Sequence, residues 1–175
     1  MGIMMTSVQK KIGISFVTLV AVAISSFWAG MCYKFNTSFS TLPILNVNER
    51  VPFDSNIVRF SGWSSPEAGI RWSDGKSSKI IMNLGTEFPK ENVILLTDIK
   101  VVNNKQSVDV YVNERKTGIM RVSKTGIYQL HIAREFLISG ENKIRFVFSN
   151  PSPMPGDTRL LGMGIGWFMF STESS

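Results

Sequence analysis

The sequence predicts an all-β fold, an antiparallel β-sandwich of jelly-roll type, preceded by one transmembrane helix. From Asn56 onward, apolar residues recur with a period of two in one segment after another, and turn-forming residues separate the segments. No ten-residue stretch of this part shows a helical stripe, apart from a single turn at Arg134 to Ile138. A long uncharged run lies before it, over residues 12–33. An immunoglobulin-like sandwich is the alternative, although its Cys-Trp-Cys signature is missing.

Size and composition are consistent with one domain plus an appendage. The chain has 175 residues, and 43% of them are hydrophobic, which is enough for a packed core. Its one cysteine, Cys32, excludes a disulfide within the chain. With His131 as the one histidine, a zinc site cannot be assembled either. We therefore expect a core without covalent or metal cross-links.

The formal net charge is +6, and the sequence after residue 33 holds 17 basic and 13 acidic residues. This mild excess favours a soluble basic surface, and anionic glycans, phospholipid headgroups or an acidic partner are also compatible with it. Like charges do not form long blocks, so a nucleic-acid partner is not expected.

The apolar run over residues 12–33 predicts a membrane anchor. At about 1.5 Å per residue, a helix of this length spans a hydrocarbon core of about 30 Å. Lys10 and Lys11 precede the run, Lys34 follows it, and Trp28 and Tyr33 lie near its second end, where aromatic rings favour the interface. The two lysines favour a cytoplasmic N-terminus.

Two other interpretations of this run fit the residues less well. A cleaved signal peptide would have a shorter apolar core and a small-residue cleavage site, whereas Ala29-Gly30-Met31 is a poor one. A lipoprotein would need a small residue before Cys32, and Met31 stands there. We therefore predict a cytoplasmic tail over 1–11, an uncleaved signal anchor over 12–33, a linker over 34–55 and a sandwich over 56–172 on the other side of the membrane.

The predicted strands follow one another at the spacing of a sandwich. A short first strand is also possible in the Ile-Leu-Asn-Val-Asn-Glu-Arg-Val sequence of the linker, and Asn113 to Gly118 reads as a polar turn. Eight segments carry the strand pattern: 58–62, 80–84, 93–102, 108–112, 119–122, 128–132, 144–148 and 161–167.

The segment from Gly62 to Gly75 is unusually rich in tryptophan, glycine and polar turn formers. Trp63 and Trp72 flank a Ser-Pro-Glu-Ala-Gly turn, and Trp72 leads into a Ser-Asp-Gly turn. The two indoles have two possible roles: they stack on the apolar face of a sugar, or they close one end of the core.

A second unusual segment, Asn150 to Gly166, ends in the alternating glycines Gly162, Gly164 and Gly166. Alternation leaves one face of this strand bare, and either a core aromatic ring lies across it or it forms a shallow groove. We expect Leu161 to Trp167 to keep one alternation throughout.

Four acidic or basic residues in these segments are further candidates. Glu67 and Asp74 are the acids nearest the tryptophans, but both lie in turns and are better turn formers than a glycosidase pair. Asp157 and Arg159 lie two residues apart and predict an ion pair, a loop contact or a ligand contact. Nucleophile, phosphate-loop and dinucleotide motifs are missing, so neither enzymatic activity nor a cofactor is expected.

Several of these pieces together resemble a β-sandwich module of bacterial envelope proteins. The pattern comprises Gly-Trp-Ser-x-Pro-Glu-x-x-x-x-Trp-Ser-x-Gly over 62–75, Val-x-Val-x-Val-Asn over 108–113, Asn-Lys-Ile-x-Phe over 142–146, Ser-Pro at 152–153 and Asp-x-Arg-x-Leu-Gly over 157–162. This module is similar to galactose-binding-like jelly rolls. It often accompanies membrane glycosyltransferases and other surface-polysaccharide enzymes.

The resemblance covers residues 56–170 and implies a non-catalytic sandwich that works at a glycan or beside a glycan enzyme. It also implies that the membrane of the predicted anchor is a bacterial inner membrane and that the sandwich is periplasmic. The chain departs from the pattern because no transferase is attached, so an enzyme that it serves would be a separate chain. We expect a carbohydrate-binding-like accessory protein whose ligand-binding residues are Trp63, Glu67, Arg71, Trp72, Asp157 and Arg159.

Two other functions remain open. A protein-interaction subunit would dock on a membrane glycosyltransferase or another envelope enzyme without binding sugar, and a flat apolar patch would identify it. An enzyme would need two converging carboxylates in a cleft.

Overall fold

The structure is a computed structural model that describes residues 42–101, 105–154 and 156–172. The predicted tail over 1–11, the predicted anchor over 12–33 and Cys32 lie outside the described residues. Within the described ranges, no helix is both long enough and apolar enough to span a bilayer.

The described chain is all-β, with eleven strands and one turn of 3₁₀ helix at Arg134–Phe136. The strands are β1 Ile44–Leu45, β2 Val51–Pro52, β3 Arg59–Ser61, β4 Arg71–Trp72, β5 Ser77–Leu84, β6 Val93–Lys100, β7 Gln106–Val112, β8 Arg115–Val122, β9 Gly126–Ile132, β10 Gly140–Phe148 and β11 Gly164–Thr172.

The strands form two sheets. The first sheet has the order β1-β5-β10-β7-β8, with β3 also paired to β5. The second has the order β2-β11-β6-β9, with β4 also paired to β11. All pairs are antiparallel except β1 with β5. The predicted antiparallel sandwich is therefore present, with one short parallel pair at an edge.

The core lies between the two sheets and follows the period-two pattern of the sequence. Buried and less buried residues alternate strictly along β6 and along β5 after its first residue. Phe146, Phe168 and Phe170 are among the largest fully buried side chains. Burying a side chain of this size contributes about 1.5–3 kcal/mol, so these rings are major contributors to the stability of the fold.

The strands begin before residue 56, inside the range that the sequence assigns to the linker. Leu45 on β1 and Val51 on β2 are fully buried, and each lies in a strand that pairs with a different sheet. The segment over 44–52 therefore contributes to both layers of the sandwich.

The turn between β7 and β8 is shorter than the sequence predicts. It consists of Asn113 and Glu114, whose φ angles of 48° and 66° are the positive values of a two-residue hairpin turn. The strand β8 consequently begins at Arg115, and the polar residues up to Gly118 belong to it. Their polarity reflects an exposed strand surface rather than a loop.

The expected alternation of Leu161 to Trp167 is wrong in its last step. The register against β6 shifts between Ile165 and Trp167, as in a β-bulge. Phe168 therefore points into the core, and Trp167 is only half-buried, with the Arg50 guanidinium 4.2 Å from its ring centroid. A single inserted residue reverses which side chains are inside.

The glycines of this segment do not leave an open groove. A Cβ atom on Gly162 would collide with the Phe148 ring, and one on Gly164 would lie 2.9 Å from Cε3 of Trp72. The third, Gly166, accommodates the Asp98 carboxylate. Aromatic rings thus cover the first two glycines. Of the two expected roles, these glycines therefore accommodate aromatic rings and do not form a groove.

Candidate functional site

The loops before β5 and before β11 meet at one end of the sandwich and enclose an open pocket of about 430 Å³. We call it the Trp72 pocket. Its lining residues are Glu67, Trp72, Met154, Gly156, Asp157, Arg159 and Leu161.

The segment over 62–75 folds back on itself, which carries Glu67 to the pocket. Glu67 and Ile70 exchange two backbone hydrogen bonds of 2.8 and 2.9 Å around a tight turn. Ala68 and Gly69 have φ angles of 44° and 84° in this turn, so the glycine adopts a conformation that side chains disfavour. The predicted turn is therefore present, and its purpose is to position Glu67.

A buried serine fastens this segment to β11. The Ser73 hydroxyl accepts hydrogen bonds from the backbone N–H groups of Gly162 and Met163, at 2.7 and 2.9 Å. The Ser73 backbone N–H donates to the Met163 carbonyl at 2.9 Å, and the residue is fully buried. The sequence analysis did not single out Ser73. Its only signal was the Ser-Asp-Gly turn after Trp72, which predicts a turn and not a tether.

Three charged side chains form one cluster at the pocket wall. Arg159 donates from Nε to both Asp157 carboxylate oxygens at 3.0 Å and from its terminal nitrogen to Asp157 Oδ2 at 2.6 Å. Its other terminal nitrogen donates to Glu67 Oε1 at 2.6 Å. Arg159 therefore connects two loops that are 92 residues apart in the sequence.

This cluster, Glu67–Arg159–Asp157, holds both acids in their charged forms. The Arg159 hydrogen bonds lower the pKa of Glu67 and the pKa of Asp157 below their ordinary values of 4.5 and 3.8. In turn, the Asp157 and Glu67 carboxylates raise the pKa of Arg159. Two negative charges against one positive charge give the cluster a formal charge of −1 at neutral pH.

The lowered pKa values also bear on catalysis. Two carboxylates do converge here, as a glycosidase requires, but its acid must have a raised pKa to carry a proton near neutral pH. Both pKa values are shifted in the opposite direction. The cluster is therefore suited to accepting and donating hydrogen bonds and not to protonating a leaving group.

The half-buried Trp72 forms the aromatic part of the pocket. Its strand β4 pairs with β11, so that Trp72 lies opposite Gly164. In the described part of the chain, no hydrogen bond engages the Trp72 indole N–H, and this nitrogen is not among the buried unsatisfied atoms. The pocket thus contains an indole with an available donor.

The other predicted tryptophan, Trp63, is half-buried like Trp72, but its ring packs against the core. Its ring packs edge-on against Phe60 and Phe146, with centroids 6.3 and 5.9 Å away. Its indole N–H donates to the Lys79 carbonyl at 2.9 Å. The structure therefore separates Trp63 from the pocket-lining residues.

Arg71 also lies outside the pocket lining. Its guanidinium donates to the carbonyls of Phe53 and Ser64, at 3.0 and 2.7 Å, and lies 4.4 Å from the Phe60 ring centroid. Burial lowers the pKa of Arg71. These contacts give Arg71 a structural role in holding the loops together.

Four of the six predicted site residues thus line one pocket: Glu67, Trp72, Asp157 and Arg159. The sequence analysis did not include the apolar lining residues Met154 and Leu161 or the glycine Gly156. Nothing in their local sequence distinguishes them from ordinary loop and strand residues.

Comparisons with known proteins identify the fold. Neither a protein-family model nor a curated protein matches the sequence. Among solved structures, a CBM35 module from Paenibacillus barcinonensis matches with a TM-score of 0.50 and 13% identity, over 72% of this chain and 100% of the module. A Podospora anserina GH26-CBM35 β-(1,4)-mannanase matches with a TM-score of 0.50 and 12% identity, over 72% of this chain and 28% of the enzyme.

A family 35 carbohydrate-binding module from Clostridium thermocellum also matches, with a TM-score of 0.47 and 12% identity, over 71% of this chain and 99% of the module. At these identities the similarity concerns the fold alone. The two matches with a TM-score of 0.50 show that the described chain has a jelly-roll sandwich fold of the kind found in CBM35 modules.

Proposed function

We propose that this protein is a non-catalytic, sugar-binding accessory protein of the bacterial cell envelope. Its sandwich would bind a glycan in the Trp72 pocket, and residues 12–33 would anchor it in the inner membrane with the sandwich in the periplasm. It would serve a separate membrane glycosyltransferase or a related surface-polysaccharide enzyme.

The observation that carries this proposal is the combination of groups in the Trp72 pocket. Sugars present an apolar ring face and a rim of hydroxyls, and a protein site for them combines an aromatic surface with fixed polar groups. Trp72 and Met154 supply apolar surface, and the Glu67–Arg159–Asp157 cluster supplies charged hydrogen-bonding groups. The fold is also that of carbohydrate-binding modules.

The charge of the cluster favours a neutral sugar in this pocket. Its formal charge of −1 repels a carboxylate or phosphate, whereas carboxylate oxygens accept hydrogen bonds from hydroxyls readily. The ion pairs hold the polar groups in place before the ligand arrives, which reduces the entropic cost of binding. The side chains of Glu67, Asp157 and Arg159 are 43%, 20% and 31% exposed, so a ligand can reach them.

The test is a titration of the purified full-length protein in detergent with a panel of neutral envelope-type oligosaccharides. Intrinsic tryptophan fluorescence would report binding, because Trp72 lines the pocket. We expect a saturable change in the wild-type protein. Because the Trp72 variants lack this reporter, calorimetric titration measures their affinity, which Trp72→Phe should weaken and Trp72→Ala should abolish. Trp63→Phe is the matched control, since it keeps an aromatic ring in the core and should preserve the affinity.

A folded protein that responds to no member of the panel would contradict the proposal. Crosslinking in the native membrane would then test the alternative, in which the sandwich docks on a membrane enzyme without binding sugar.

The anchor and its orientation have their own test. Full-length protein should remain in the membrane pellet after extraction at alkaline pH, and deletion of residues 12–33 should release it. Protease added to spheroplasts should digest the sandwich if it lies in the periplasm. Protection of the sandwich in intact spheroplasts would contradict the proposed orientation.

A further inference from the structure

A second open pocket, of about 470 Å³, lies at the same end of the sandwich as the Trp72 pocket. We call it the Arg121 pocket. It forms where β7 begins, β8 ends and the chain leaves β10. Its lining residues are Lys105, Gln106, Ser107, Arg121, Val122, Ser123 and Ser149.

The floor of this pocket is a row of polar side chains from two strands and from the residue that follows a third strand. Arg121 on β8 lies directly opposite Ser107 on β7. The Ser107 backbone N–H donates to the Ser149 hydroxyl at 3.2 Å, and the Ser149 N–H donates to the Ser107 carbonyl at 3.0 Å. Two hydroxyls and one guanidinium therefore share one surface, in a spacing that the sheet fixes.

A buried glutamine holds the edge of the row in place. Gln106 is 5% exposed, and its side-chain amide binds both backbone groups of Asn150. This double contact fixes the start of the loop that follows Ser149. The pocket is thus built on a strand end and a clamped loop.

The charge of the Arg121 pocket is not balanced. In the described part of the chain, neither Lys105 nor Arg121 forms an ion pair with a carboxylate. The nearest acid along β7, Asp109, pairs with Lys116 at 2.9 Å. Several other cations on this sheet have acidic partners, since Arg59 and Lys143 pair with Glu141 and Arg145 pairs with Glu114. Within the described residues, Lys79 and Arg115 form no ion pair either, but neither lines this pocket.

We propose that the Arg121 pocket binds an acidic group, a carboxylate or a phosphate, on the glycan that this protein recognises. A guanidinium presents a planar fork of N–H donors that matches either oxyanion, and Lys105 adds a second positive charge. The Ser107 and Ser149 hydroxyls supply neutral donors beside them. This inference rests on the proposed function for the identity of the carrier, whereas the anion site itself stands on the pocket.

The two pockets together define a class of glycan. The chain segment from Ser149 to Leu161 borders both, with Ser149 in the Arg121 pocket and Met154 and Asp157 in the Trp72 pocket. The Trp72 pocket carries a formal charge of −1 from its cluster, and the Arg121 pocket carries +2 from Lys105 and Arg121. The pair therefore fits an acidic polysaccharide with a neutral residue in one pocket and an acidic substituent in the other.

The experiment uses isotope-labelled full-length protein in detergent and three soluble probes: galacturonate, galactose 6-phosphate and galactose. Amide and guanidinium NMR signals of Ser107, Arg121 and Ser149 would report binding at the pocket itself. We expect saturable shifts with one or both acidic sugars and none with galactose. The acidic sugar that binds more tightly identifies the carboxylate or the phosphate as the preferred group.

Arg121→Gln should weaken binding of the acidic probe about tenfold, because it removes a charge-assisted pair of hydrogen bonds. Arg121→Lys should restore part of the affinity, since it keeps the charge and loses the fork. Lys79→Gln is the matched control. It removes one charge from the same sheet, on β5, away from the pocket, and should leave the affinity unchanged.

Absence of shifts with both acidic sugars, equal shifts with galactose, or an equal loss of affinity in the Lys79→Gln variant would overturn the inference. These signals lie in the Arg121 pocket, so they remain informative if the Trp72 pocket binds no sugar. If the proposed function is wrong, the tryptophan fluorescence would instead stay unchanged with every neutral oligosaccharide of the panel.

Discussion

Trp63 and Trp72 come from the same sequence segment and are both half-buried, but they have different contacts. The Trp63 indole N–H is bound to the Lys79 carbonyl, and its ring contacts Phe60 and Phe146. The Trp72 ring lies over Gly164, and its N–H has no bond to another described residue. The difference shows that residue type and motif do not decide whether an aromatic ring stabilises the core or faces a ligand.

The role of each indole depends on the residues that its ring contacts. Trp63 follows β3 of the first sheet, and its ring packs against the core. Trp72 lies on β4, a two-residue strand of the second sheet that Ser73 fastens to β11. Replacing either side chain should therefore change a different property of the protein.

The largest expected effect is the loss of stability in Trp63→Ala. Removing the ring deletes its aromatic contacts and leaves the Lys79 carbonyl without its donor, so we expect the free energy of unfolding to fall by about 3 kcal/mol. Trp72→Ala should lower it by about 1 kcal/mol, because that ring borders open space. Thermal unfolding of full-length protein, followed by near-ultraviolet circular dichroism, measures both. Equal losses would remove the distinction between the two rings.

The second effect concerns Gly164→Ala, which should move Trp72 without removing it. The new Cβ would lie 2.6 Å from Ile70 Cγ2 and 2.9 Å from Trp72 Cε3, closer than side-chain atoms tolerate. We expect a destabilisation of about 1–2 kcal/mol and weaker glycan binding. Gly126→Ala is the control, since that Cβ would meet no atom within 4 Å. Normal binding by Gly164→Ala would show that the position of Trp72 is unimportant.

The third effect separates geometry from charge in the Glu67–Arg159–Asp157 cluster. Arg159→Lys keeps the positive charge but cannot bind both acids as the guanidinium does, so we expect glycan affinity to fall about tenfold. Stability should change little, because ion pairs between partly exposed groups are screened by solvent. Calorimetric titration and thermal unfolding of the same variant measure the two quantities. A large loss of stability with intact affinity would make the cluster purely structural.

The smallest effect near neutral pH is the pH dependence of binding. The folded pKa values of Glu67 and Asp157 lie below their ordinary values of 4.5 and 3.8. The contribution of these two charged carboxylates to binding is therefore complete at pH values above their ordinary pKa values. It is lost as the pH falls through their lowered pKa values. We expect constant affinity from about pH 8 to pH 5 and a decline below about pH 4. Asp157→Asn should show a smaller decline over this range, and a decline near pH 6 would implicate another group.

Local patterns in the sequence predicted most of the strands. The alternation of Val108, Val110 and Val112, for example, places all three in the core. The pattern failed at Gly166, because a β-bulge adds one residue without any change in composition. It also failed at Arg115, because the two-residue turn depends on positive φ angles at Asn113 and Glu114, which the polar composition of the segment does not reveal.

The site was predictable as a set of residue types and not as an arrangement. Asp157 and Arg159 are neighbours in the sequence, so their ion pair was expected. The bond from Arg159 to Glu67 depends on two loops meeting at one end of the sandwich, and no local pattern encodes that meeting. The same holds for the Arg121 pocket, whose residues come from β7, β8 and the loops beside them, including the loop after β10.

By itself, the sequence determined the sandwich class, the order of the strands along the chain and the two segments from which the Trp72 pocket is built. These features follow from the period of the side chains and from turn chemistry, which act over a few residues. The tertiary structure alone decided which tryptophan packs against the core, that Glu67 joins Arg159, and which cations lack an acidic partner. Each of these depends on contacts between strands that are distant in sequence, because burial and pairing are set by the packing of two sheets and not by neighbours in the chain.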